Sequence, residues 1–180
     1  GYDDYLQYAP IFALVGMKAA GVESRSSWGR MLTSDAFSAA LMAATVNVMK
    51  FAIDSRRPDG TALNSFPSGH SATAFMAATM FHKEYGVRSP WYSIGAYTVA
   101  TATSVSRLLN NRHWISDVMV GAGIGILSTE LGYYFADLIF GKKGLRHPQY
   151  DFDVAFSDIS SFLGLYMGFT MMPPHISLSP

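Results

Sequence analysis

Long stretches of this chain carry almost no charge, and that constrains its fold more than any other feature. Residues 36–49 and 89–106 contain no Asp, Glu, Lys or Arg, and residues 114–140 contain only Asp117, Glu130 and Asp137. Each run is longer than a typical strand and is bounded by proline, glycine or capping residues, which argues for helices. A membrane-spanning helix wants about 20 mostly apolar residues. Residues 36–49 fall short of that, 89–106 are rich in Ser, Thr and Ala, and 114–140 are interrupted by acids. The reading is therefore of buried helices in a compact bundle, with contact between an apolar face and a membrane surface left open.

Five main helices are expected. Residues 5–20 form the first, with Pro10 in its first turn or at a kink and Gly21 as its stop. Residues 22–33 are polar and read as a loop, after which Thr33, Ser34 or Asp35 caps a helix over 36–54 that is apolar nearly all round. Pro58 and Asp59-Gly60 end it. A third helix covers about 69–84 and is closed by Gly86, and a fourth covers 91–106. Residues 107–112 form a loop, and the last long helix runs over 114–140. Its Gly121, Gly123 and Gly125 are costly in an isolated helix and are expected at close helix contacts. Residues 163–169 fit either a strand or a short helix.

The length of 180 residues predicts a single domain over 1–180, with its core at about 36–140. Lys plus Arg and Asp plus Glu each number 13, so no global field points to nucleic acid. The absence of cysteine excludes disulfides and thiolate chemistry. The five histidines (70, 82, 113, 147 and 175) show no metal-binding spacing, so no metal or other cofactor is expected. His82, His147 and His175 read as surface or boundary residues.

The charge is unevenly placed. Lys50, Arg56, Arg57, Arg107 and Arg112 gather in three short stretches, against Asp54 and Asp117. His113 and Asp117 are spaced to share one helix face, where a carboxylate can hold one imidazole nitrogen and leave the other to attack. Pro67-Ser68-Gly69-His70 opens a helix, whose free N–H groups favour an anion. Gly69 permits close backbone approach, Ser68 adds a hydroxyl, and His70 is placed to protonate a departing oxygen. Lys50 ends a nearly uncharged helix and needs an anion, either Asp54 or a ligand. Arg56 and Arg112 read as solvent-facing. Each feature alone has an ordinary structural explanation as a cap or a helix-end charge. Together they form the parts list for phosphoryl transfer through a covalent intermediate, in which Lys50, Arg57, Arg107 and the Ser68–Gly69 turn hold the phosphoryl group, His113 attacks, Asp117 orients it and His70 moves the proton.

The same residues carry a resemblance. Lys50-x6-Arg57-Pro58, Pro67-Ser68-Gly69-His70 and Ser106-Arg107-x5-His113-x3-Asp117, in this order, resemble the three signature motifs of the type 2 phosphatidic acid phosphatase (PAP2) family, which is related to class A acid phosphatases and vanadium haloperoxidases. The resemblance implies an all-α bundle, metal-independent phosphatase activity, a phosphohistidine at His113, and inhibition by vanadate or phosphate. Residues 110–137 look most like bacterial envelope members. That implies a phosphorylated lipid or small phosphate ester as substrate, of the lipid A, undecaprenyl diphosphate or phosphatidate type, and an exported, periplasmic or envelope location. Two other readings stand beside it. A vanadate-dependent haloperoxidase would use the same oxyanion cradle, and a non-catalytic phospholipid-binding module would need only its cations.

Overall fold

Proline and glycine divide the chain into helices of unequal length. A computed structural model describes residues 3–146, and the segment at 163–169, His147 and His175 lie outside the described residues. The helices are α1 (Asp3–Leu6), α2 (Ala9–Ala19), α3 (Trp28–Ala52), α4 (Gly69–Tyr85), α5 (Pro90–Leu109) and α6 (Ile115–Phe140). The fold is all-α, as expected, and among the described residues the only β pairing is two isolated bridges. Pro10 occupies the first turn of α2, where its missing N–H costs nothing, and Gly21 ends that helix at φ +83°.

At the centre, α6 packs against α3 and α4, and α4 also packs against α5 and α2. The core is built from small and flexible side chains, Ala74, Ala78, Met31, Met76 and Met80, closed by Leu14, Tyr85 and Tyr133. Two of the three expected glycine contacts are present. A Cβ on Gly121 would strike the Ser68 carbonyl, and one on Gly125 would strike the Ala72 carbonyl and lie 2.8 Å from the Met76 nitrogen. Gly123 is different, because nothing lies within 4 Å of its Cβ position. The close contact instead recurs two turns after Gly125, at Gly132, which meets Ser38 on α3.

Three expectations about boundaries need correction. The polar stretch 22–33 is a loop only to Ser27, and α3 begins at Trp28, so Thr33, Ser34 and Asp35 do not cap it. Thr33 and Ser34 return their hydroxyls to the carbonyls of Gly29 and Arg30, at 2.8 and 3.0 Å, and so remain inside the helix. The charge that made this stretch look like a loop is buried: Arg30 pairs with Asp137 on α6 and donates to the carbonyls of Gly141 and Lys143. Arg107 is likewise not in a loop, since α5 continues to Leu109.

The long helices are also less enclosed than expected. Helices α3 and α6, with 25 and 26 residues, are long and apolar enough to cross a bilayer, and much of each is not covered by protein. Phe51 is 94% exposed, Met119 68% and Leu138 64%. The all-round apolar pattern of α3 thus reflects one face against the bundle and another with no partner among the described residues.

The glycine contacts give a direct test. Gly125→Ala should lower stability by about 1–3 kcal/mol, because the new methyl would run into the backbone of α4. Gly123→Ala should be neutral or slightly stabilising. Thermal unfolding of the two variants in one detergent checks the contrast.

Candidate active site

Three segments meet at one end of the bundle. The turn between α3 and α4 folds back on itself, with Ser55 N–H donating to the Leu63 carbonyl, Arg57 N–H to Ala62 and Ser65 N–H to Ser55. This turn is stitched to the α5–α6 connection, where Asp59 N–H donates to the Asn111 carbonyl and the Trp114 indole to the Arg56 carbonyl at 2.9 Å. The start of α4 is tied to the start of α6 by the Ser68 N–H, which donates to the Asp117 carbonyl at 2.9 Å.

His113 lies in the α5–α6 connection and is 4% exposed. Its Nδ1 is 2.7 Å from the Ser65 backbone carbonyl. A carbonyl can only accept, so Nδ1 carries the proton and the neutral ring keeps its lone pair on Nε2. The expected partner, Asp117, is 3.6 Å from Nδ1, beyond hydrogen-bond reach. Its carboxylate accepts instead from the Ser65 hydroxyl and from the Trp114 N–H at 2.9 Å. Asp117 therefore holds Ser65, whose carbonyl orients the histidine. Ser65 is a fully buried member of the site that belongs to none of the motifs.

Three cations lie around His113. Lys50, Arg107 and Arg57 all act electrostatically on His113. Lys50 donates to the Asn64 carbonyl at 2.8 Å, and Arg57 and Asp117 are the charges that act on it. Asp54 is exposed beyond the end of α3. The Arg57 Nε is buried without a hydrogen-bond partner among the described residues, a donor that an oxyanion would satisfy. Arg107 is buried in the last turn of α5. Arg112 is on the outside, 3.3 Å from Asp59, and Arg56 is exposed, both as expected.

At the start of α4, Ser68 is the N-cap and accepts from the Ser71 N–H at 3.3 Å. Only Val46 comes within 4 Å of the Cβ position of Gly69. His70 is partly exposed, and its Nε2 is 2.8 Å from Oδ1 of Asp4, a residue no motif contains. His82 has the ordinary role expected of it, bonding Ser93 at 2.6 Å.

Residues 32–139 match the family model of the PAP2 superfamily. The chain belongs to the PAP2 superfamily. It is 57% identical over 139 residues to a lipid A 1-phosphatase of Porphyromonas gingivalis, covering 77% of this chain and 31% of that protein. It is 31% identical over 105 residues to a probable lipid phosphate phosphatase beta of Arabidopsis thaliana, covering 43% of this chain and 49% of that protein. The chain thus spans half or less of the length of these relatives. No solved structure matches it.

For a PAP2 site, the electrostatic consequence is a neutral histidine. Burial first, then the charges of Lys50, Arg107 and Arg57, lower the pKa of His113 to about 4, against the opposing hydrogen bond to Ser65. The lone pair on Nε2 is accordingly available above about pH 4. Lys50→Met removes one repelling cation and should move the value up, toward 6.5. NMR titration of histidine-labelled protein checks this. A wild-type His113 that titrates near 6.5 would contradict it.

Proposed function

We propose that the chain is a lipid phosphatase that works through a phosphohistidine on His113. The observation that carries this reading is the neutral, oriented imidazole of His113 set among three cations. A binding module would have no use for such a group, since cations alone capture phosphate. Cationic charge opposes the protonation of His113 and also favours the phosphate dianion that His113 must attack.

In the first step Nε2 of His113 forms a bond to phosphorus while the bond from phosphorus to the leaving oxygen breaks. That oxygen takes the proton of His70. Lys50, Arg57, Arg107 and the Ser68–Gly69 turn neutralise the equatorial oxygens. In the second step His70 takes a proton from water, the hydroxide attacks phosphorus, and the bond to nitrogen breaks. Phosphate leaves and His113 returns to its neutral form. The three cations supply the charge that a metal ion would otherwise bring.

An apolar rim supports a lipid substrate. Phe51, Leu63, Leu109 and Ile115 are all well exposed, and each lies close in sequence to a residue of the cradle. A phosphate group held in the polar centre would have its acyl chains against this rim, continuous with the uncovered faces of α3 and α6. The likeness to the Porphyromonas lipid A 1-phosphatase favours a lipid A type of phosphate. On this reading the substrate is handled at the bacterial envelope, on its periplasmic side.

The test is phosphate release from a lipid phosphate in mixed micelles with EDTA present. Wild type should turn over, and His113→Ala should lose about 10⁴-fold or more in rate while still binding vanadate. Undiminished turnover by His113→Ala would remove His113 as the nucleophile.

A further inference from the structure

Asp4 lies outside all three motifs, yet its carboxylate reaches the catalytic end. Its Oδ1 is 2.8 Å from Nε2 of His70 and 3.7 Å from the Arg107 guanidinium. The backbone there is held in place by Gln7, a buried side chain whose amide donates to the Asp4 carbonyl at 2.8 Å. Helix α1 also rests on α5, the helix that carries Arg107. The Asp4 side chain remains 48% exposed, so it borders the site and is not enclosed in it.

The position of His70 determines what Asp4 meets during the reaction. On the reading above, His70 gives its proton to the oxygen that leaves phosphorus. A leaving oxygen hydrogen-bonded to Nε2 stands within a few ångströms of the Asp4 carboxylate, and one bonded to Nδ1 within about 7 Å of it. Whatever that oxygen carries is therefore next to a negative charge. In a phosphomonoester it carries an alcohol, which is neutral and whose further hydroxyls can donate to a carboxylate. In a diphosphate it carries a second phosphate, and two like charges then face each other.

We propose that Asp4 is a specificity-determining residue, selecting phosphomonoesters with a neutral alcohol leaving group over diphosphates. It does so by repelling the anionic leaving group, a form of selectivity that needs no added attraction for the preferred substrate. The proposal rests on the phosphatase reading and on His70 as the proton donor.

A matched pair of substrates tests it. Farnesyl phosphate and farnesyl diphosphate share one apolar tail and differ in the charge of the leaving group. Phosphate release from each is measured with the full chain as wild type, Asp4→Asn and Asp4→Ala, in one detergent. Wild type should prefer the monophosphate. Both substitutions should raise kcat/KM for the diphosphate relative to the monophosphate by about tenfold. Asp4→Asn keeps the size of the side chain and removes its charge, so agreement between the two variants ties the effect to charge.

A ratio that stays fixed while both rates fall would overturn the proposal and leave Asp4 as a support for His70. Equal gains on both substrates would also overturn it, and would make Asp4 a competitor for the phosphate site. So would a change in ratio in Asp4→Ala alone. If wild type releases phosphate from neither substrate, the phosphatase reading falls and this proposal falls with it.

Discussion

The backbone of α6 rests directly on α4, and the catalytic end of the molecule depends on that contact. Gly121 and Gly125 remove the side chains that would hold the two helices apart. At the close approach the Ser68 N–H reaches the Asp117 carbonyl, which joins the first turn of α6 to the opening of α4. That hydrogen bond ties the helix that carries His70 to the connection that carries His113. The turn between α3 and α4 completes the arrangement, because Ser65 bonds to both His113 and Asp117.

The opposite end of the bundle is held by buried charge. Arg25 and Arg30 both pair with Asp137, joining the start of α3 to the end of α6. Glu84 accepts from the Ser26 N–H at 2.9 Å and from the Tyr133 hydroxyl at 3.3 Å, linking α4 to the α2–α3 connection and to α6. Ion pairs of this kind add little net stability compared with apolar packing, but breaking one partner is expensive. Their effect here is on register: α3 cannot slide along α6 without stranding Arg30. With its ends fixed, the bundle leaves apolar faces of α3 and α6 exposed.

The sequence made the chemistry more legible than the architecture. Proline and glycine marked the helix ends well where they act through local sterics, as at Pro10, Gly21 and Pro90. The motif residues stood out because their types together suit an oxyanion and their order resembles the motifs of the PAP2 family. What could not be read was whatever depends on a distant partner. The start of α3 was hidden because Arg30 is charged yet buried, its partner Asp137 lying more than a hundred residues away. Gly123 looked like its neighbours, and only the rotation of α6 against α4 separates it from Gly121 and Gly125. Ser65 acts on His113 through its backbone carbonyl, which carries no sequence signal at all. Asp4 sits next to His70 only because α1 folds across the end of α5.

The central claim is that phosphorus becomes bonded to His113. Trapping that bond tests it most directly. His70→Ala, supplied with an aryl phosphate whose leaving group needs no proton, should form the intermediate normally and hydrolyse it slowly. After quenching in alkali, which spares a phosphorus–nitrogen bond, mass spectrometry of the digested protein should place the phosphoryl group on the peptide containing His113. The label should be absent when His113→Ala is added to the same protein. Phosphate on another residue, or turnover with no trapped phosphoryl group in any variant, would contradict the account.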